Sequence, residues 1–360
     1  MRDMKRKVSH PGIYLKDAIE ELGLNQSEFA LRSGLSIKNV STIINGESNI
    51  TFDVAIKLAA FFNTSVEGWI NLQTKYDMYL NEQKMEEEIN EEWKIVKSFN
   101  SDFLNNYFHI KLDNTKKKEI IIQLRKYLNV GTLVALKQPD MYAFYKTSVK
   151  KDLLEKNIIM RNAWISIAEQ VARGKSCQTF NKNIILDNLL NLRRLTLEEP
   201  NVFQPKLDSL LSSAGIKLVV LPYLPNSLVS GVTKWIQNEK CVMIAVNDCG
   251  KDADKIWFSI FHEIGHAMKN HKRHLTISYE KGQAEDEDEI AANEFAKRLL
   301  INEADYHHFI KQNHFDLKSI QLFAMQQQVA DFIVLGRLQK DGYVGWDKYQ
   351  NIKKKYAISL

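Results

Sequence analysis

Trp257-Phe258-Ser259-Ile260-Phe261-His262-Glu263-Ile264-Gly265-His266-Ala267-Met268 is the stretch on which the reading of this 360-residue chain turns. Trp257, Ile260, Phe261, Ile264 and Met268 recur at the spacing of one helical face, and Asp252 and Asp254 place acidic caps at its start. His262 and His266 are four residues apart, so on a helix their imidazoles stack on one side. Two neutral imidazoles at that spacing can hold one face of a zinc ion. Glu263 projects beside them, where a carboxylate can take a proton from water.

The run ahead of this helix, Cys241-Val242-Met243-Ile244-Ala245-Val246-Asn247, reads as a buried strand that passes through a short polar loop. A third ligand is expected from a helix downstream, since catalytic zinc takes three protein ligands and leaves one position to water. In Asp286-Glu287-Asp288-Glu289-Ile290-Ala291-Ala292-Asn293 the first acidic residues read as a solvated loop. Glu289 differs, because Ala292, Asn293, Ala296 and Leu300 follow it at helical spacing. Small residues on that face let two helices approach closely, so Glu289 is the expected third ligand. Asn293, one turn on, is placed to bond the outer nitrogen of a ligating histidine.

His262-Glu263-Ile264-Gly265-His266 together with Glu289-x-x-Ala292-Asn293-x-Phe295-Ala296-x-x-Leu299-Leu300 resembles the ImmA/IrrE family of zinc metallopeptidases. Residues 319–324 and 334–338 resemble the helices that close that domain. The resemblance implies a zincin-like α+β domain that cleaves repressors or related regulators, with Glu263 as the catalytic acid–base. The chain departs from the pattern at Ala291, where many members carry a second glutamate, and at Asn302, where a proline is common.

At 360 residues the chain has material for two or three domains. No apolar run reaches the ~20 residues of a membrane span, and the charged N-terminal stretch lacks an apolar signal segment. Cys177, Cys241 and Cys249 are odd in number and widely spaced, a pattern suited to a reducing cytoplasm and not to a disulfide framework. A net charge of +5 permits nucleic-acid binding without requiring it.

Residues 1–80 read as a compact helical unit. Pro11-Gly12 opens one helix and Gly23 stops it; Asn25, with Glu28 as its reciprocal partner, caps a second. After the turn at Ser33-Gly34, Ser36 caps a third helix. Its Ile37, Val40, Ile43 and Ile44 are expected inside, and Lys38, Asn39, Thr42 and Asn45 on the opposite face. Thr51 and Ser65 cap two more, over 52–62 and 66–79. Two short helices across a tight turn, the second presenting polar residues, make a helix-turn-helix. Charge does not decide its role, because residues 1–80 hold nine Lys/Arg and nine Asp/Glu. Arg2, Lys5, Arg6 and Lys7 are candidates for a phosphate-binding arm.

His10-Pro11-Gly12-x-x-Leu15, Leu24-x-Gln26-x-x-Phe29-Ala30, Val40-Ser41-x-Ile43-x-Asn45-Gly46 and Trp69-Ile70-Asn71-Leu72-Gln73-x-x-Tyr76-Asp77 resemble the HigA/VapI-type antitoxin domain. That resemblance spans almost all of residues 1–80. It implies a homodimer on operator DNA, with Gln26 and Ser27 at phosphates and Lys38, Asn39 and Thr42 at base edges. It also implies a toxin as an alternative partner.

The fold class expected is α+β and predominantly helical, with four segments. Residues 1–80 form the all-α helix-turn-helix domain and 81–195 a helical connector and middle region. The zincin-like domain with a small antiparallel sheet spans 196–345, and 346–360 form a tail. Within the middle region 116–128 and 159–172 read as helices and 133–136 as a strand. Two functions compete. One is a DNA-binding regulator with a working zinc endopeptidase acting on a repressor or regulatory protein. The other is an antitoxin-like repressor whose zincin domain is structural or sensing.

Overall fold

The computed structural model describes residues 8–142, 154–236, 240–269, 275–279 and 287–356. The phosphate-arm candidates Arg2, Lys5, Arg6 and Lys7 lie outside them, as does Asp286. The chain divides into two compact units, Met1–Glu91 and Glu92–Leu360.

The first unit holds α1 (Pro11–Glu21), α2 (Gln26–Ser33), α3 (Ile37–Ile44), α4 (Phe52–Phe62) and most of α5 (Val66–Ser98). Its helix starts follow local chemistry. The side chains of Asn25, Ser36 and Thr51 accept from the N–H groups of Glu28, Asn39 and Val54, satisfying donors that a helix start otherwise leaves open. The Glu28 carboxylate pairs with Arg32, one turn further along α2. Leu15, Phe29, Val40, Ile43, Ala55, Leu58 and Trp69 make one apolar core. Ile37, expected inside, is 56% exposed. At the first turn of α3 it falls beyond the stripe set by Val40 and Ile43. The stretch read as a connector after residue 80 continues α5 without a break.

In the second unit come α6 (Ser101–Phe108), α7 (Lys117–Leu128), α8 (Glu155–Arg173), α9 (Lys182–Asp187), α10 (Leu189–Arg194) and α11 (Pro200–Ser213). Strands β1 (Ile216–Leu221), β2 (Val229–Ile236) and β3 (Cys241–Asn247) precede α12 (Ala253–Met268). Then follow β4 (Leu275–Tyr279), α13 (Glu287–Leu300), α14 (Glu303–Gln312), α15 (Leu317–Gln327) and α16 (Asp331–Lys340). Residues 133–136, read as a strand, fall in a 3₁₀ turn, Leu133–Lys137, capped by the Thr132 hydroxyl. Buried Leu133 and Leu136 are three apart, which puts them on one face of a 3₁₀ turn.

The sheet order is β1-β3-β2-β4. β2 and β3 pair antiparallel, as their sequences suggest, and β4 pairs antiparallel with β2. β1 lies parallel to β3, so the sheet is mixed and not wholly antiparallel. All seven residues of β3 are buried, which suits a central strand covered on both faces. Alternation along β2 shows the two layers. The Thr233 hydroxyl meets α12 at Glu263, while the Lys234 ammonium pairs with Glu169 of α8. On β1, Lys217 likewise reaches the Ala172 carbonyl at the end of α8, 3.1 Å away. The sheet is thus sandwiched between α12 and α8. Among the described residues no helix is long and apolar enough to cross a membrane.

Candidate metal centre

α12 lies on the sheet through Ile256, Trp257, Ile260, Phe261 and Ile264, all in the main core. Burying that stripe turns His262, Glu263 and His266 inward too, at 6%, 1% and 5% exposure. Asp252 is the helix N-cap, yet its carboxylate bonds Lys255 at 2.6 Å instead of capping a backbone N–H. On the far side α13 packs through Ala292 and Ala296. A Cβ at Gly265 would lie 3.0 Å from the Ala292 Cα, so glycine in the middle of the motif is what lets the two helices come this close.

That approach brings Glu289, one turn before Ala292 on α13, onto the histidine pair. His262 Nε2 and His266 Nε2 are 3.0 Å apart. Glu289 Oε2 stands 3.2 Å from the first, and Oε1 3.3 Å from the second. Among the described residues these three form a group whose donor atoms could hold a metal ion. His262 Nδ1 lies 3.0 Å from Asn293 Oδ1, which places the ring proton on Nδ1 and leaves Nε2 as a lone pair. Burial alone would raise the Glu289 carboxyl, but the two imidazoles set against it bring it down to about 2. Burial alone would lower His262, and the Glu289 and Glu263 carboxylates outweigh it and raise it.

Glu263 sits in a socket made by two strands. Thr233 Oγ1 of β2 donates to its Oε2 at 2.6 Å, and Ser278 Oγ of β4 to its Oε1 at 2.7 Å. Directly beneath is Gly231, where a Cβ would come within 2.2 Å of Oε1. Sequence reasoning named none of these three. The available signal was Gly231 itself, since a glycine inside a strand marks close approach by another group. Tyr279 follows Ser278 on β4 and so leaves from the opposite face.

In the N-terminal unit α2 and α3 form the helix-turn-helix pair. Gln26 and Ser27 are exposed on the first turn of α2, Lys38 is exposed on α3, and Asn39 and Thr42 are half-buried beside it. The Thr42 hydroxyl donates to the Asn39 carbonyl at 3.1 Å.

Fold and site together define a helix-turn-helix unit followed by a zincin-like α+β unit. The helix-turn-helix family matches residues 15–69 and the IrrE N-terminal-like domain family matches residues 212–331. An uncharacterised HTH-type transcriptional regulator of Haemophilus influenzae is 38% identical over 77 residues, covering 21% of this chain and 72% of that one. Antitoxin HigA-1 of Vibrio cholerae is 35% identical over 89 residues, covering 24% and 84%. Pseudomonas aeruginosa antitoxin HigA, solved with the higBA promoter, is 28% identical, with a TM-score of 0.23 and coverage of 23% and 91%. The chain belongs to the HTH-type transcriptional regulators, with an IrrE-like peptidase domain joined to the regulator domain.

Proposed function

We propose that this protein is a cytoplasmic, dimeric, operator-binding regulator whose C-terminal unit is a zinc-dependent endopeptidase acting on a repressor or related regulatory protein. The observation that carries the reading is the convergence of His262, His266 and Glu289 beside a buried Glu263. The donor set fits zinc. Bonds of about 2.0–2.1 Å to a tetrahedral ion put neighbouring ligand atoms about 3.3 Å apart, and the separations here are 3.0, 3.2 and 3.3 Å. Two imidazole nitrogens and a carboxylate are also the ligand types that a catalytic zinc takes.

A zinc ion bound there would supply Lewis acidity, polarising a peptide carbonyl and making water nucleophilic near neutral pH. The chain's residues do the rest. Asn293 keeps the His262 proton on Nδ1, so that Nε2 can ligate. Glu263 takes a proton from the attacking water and delivers it to the leaving amine, while Thr233 holds its Oε2. The buried core of α12 fixes this constellation. In the first unit, Gln26 and Ser27 would meet phosphates, and Lys38, Asn39 and Thr42 base edges.

A second reading is favoured by the 84% coverage of antitoxin HigA-1. In it the first unit binds an operator and a toxin, and the zincin unit does not cut. The two readings part at Glu263. Host cells expressing wild type or Glu263→Gln are compared for new protein N-termini, with zinc content measured on both chains. General acid–base catalysis is worth about 10²–10⁴-fold, so the endopeptidase reading expects cleavage products with wild type alone. Identical N-terminal profiles from two zinc-loaded chains would leave the antitoxin reading.

A further inference from the structure

β4, at the edge of the sheet, turns the Ser278 side chain toward α12, where its hydroxyl meets two groups at once. Oγ donates to Glu263 Oε1 at 2.7 Å and stands 3.2 Å in front of His262 Nε2. With the hydroxyl proton on Glu263 and the His262 proton on Nδ1, two lone pairs face each other there. A cation is what such a pair can share. The 3.2 Å separation is also the spacing found between the ligand atoms themselves. At a tetrahedral ion the open corner lies about 3.3 Å from each protein ligand atom. A water used in catalysis must bond Glu263 and stand next to the ligand atoms; Ser278 Oγ bonds Glu263 and stands beside one of those atoms, His262 Nε2.

Building on the metal site described under the proposed function, we propose that the Ser278 hydroxyl is a placeholder for the attacking water, capping Glu263 and the open metal position until β4 yields. Glu263 does not depend on it for orientation, because Thr233 holds the other carboxylate oxygen. The two hydroxyls differ in their freedom to move. Thr233 lies on β2, which is paired on both sides, to β3 and to β4. Ser278 lies on β4, which is paired to β2 alone among the described strands, so displacing it breaks one ladder. The resting site is therefore latent, and a ligand entering the open position must first push Ser278 aside.

The test uses the full chain loaded with Co²⁺, whose visible absorption reports the ligands around the ion, and acetohydroxamate as a probe that needs the open position. Wild type, Ser278→Ala and Ser278→Thr are titrated with the probe. Removing the hydroxyl should tighten probe binding about tenfold, the factor contributed by one hydrogen bond, with Co²⁺ stoichiometry unchanged. Ser278→Thr, which keeps the hydroxyl, should stay near wild type. Equal probe affinity in all three would overturn the proposal. So would a tenfold loss of Co²⁺ affinity in Ser278→Ala, which would make Ser278 a resident ligand. A wild-type chain that takes up no Co²⁺ would overturn the metal site itself, a result distinguishable because it precedes any probe titration.

Discussion

Gly265 of α12 lies against Ala292 of α13 so closely that a Cβ on the glycine would be 3.0 Å from the alanine Cα and 3.2 Å from its carbonyl oxygen. The distance between the two helices sets how far Glu289 reaches, so metal affinity should depend on a residue that touches no metal. Gly265→Val should push α13 outward and cost about 1–3 kcal/mol as an overpacked core. It should also weaken zinc binding well beyond the loss in stability. Chelator competition together with thermal melting checks this; unchanged zinc affinity in a folded variant would contradict it.

Three residues of α13 should rank by how closely they serve the metal site. Glu289→Ala should lose more zinc affinity than Asn293→Ala, whose loss should be about 10–100-fold because it supports His262 only from behind. Asp288→Ala should match wild type, since that carboxylate pairs with Lys269 at 2.7 Å on the surface. Zinc content after dialysis against a graded chelator reads all three. Equal retention by the Glu289 and Asp288 variants would mean that the ligand is another residue.

Glu92 should be a source of acid sensitivity. Burial alone would raise this carboxyl, but hydrogen bonds from Arg125, the Leu133 N–H and the Thr132 hydroxyl, with the Arg125 charge, hold it below its usual range. A carboxyl depressed in the folded state stabilises above its unfolded pKa, and that contribution disappears as pH falls through the folded value. Wild type should therefore lose stability steeply between about pH 5 and the lower folded pKa, whereas Glu92→Gln should show a flatter profile. At neutral pH the variant should be about 1–3 kcal/mol less stable, because Arg125 loses its charged partner. Urea melts across that pH range test it, and parallel profiles would refute it.

Operator binding should rest on α3. Lys38→Ala and Asn39→Ala should each weaken binding of the chain to its operator by about 1–3 kcal/mol if they read base edges. If Lys38 meets phosphate instead, its loss should weaken all DNA sequences alike and reduce the salt dependence by about one unit of slope. Mobility shifts at several salt concentrations distinguish the two. Unaltered binding by both variants would remove α3 from the interface.

Much of this protein was legible before any fold was known, and the legible parts share a cause. The stacking of His262 over His266, the helix starts at Asn25, Ser36 and Thr51, and the buried run of β3 all follow from local periodicity or from a side chain meeting a nearby N–H. Such relations act within a few residues and need no partner from elsewhere. Ile37 shows where local reading ends. One helical turn decides inside from outside only when the packing partner is known, and a four-residue stripe leaves its edges undefined.

The remainder required distant segments to meet. Nothing near residue 216 tells β1 to lie parallel to β3, because β2 lies between them in sequence and strand order emerges only when the sheet assembles. Likewise the 3₁₀ turn at Leu133 is pinned by Glu92, 41 residues earlier, which accepts from the Leu133 N–H at 3.1 Å. At the site itself, spacing alone puts His262 and His266 of H-E-x-x-H on one helical face. The socket around Glu263 was not legible in that way, because Gly231, Thr233 and Ser278 come from two strands on a sheet that α12 crosses. Helical spacing specifies which side chains share a face, and only packing decides which hydroxyls that face will meet.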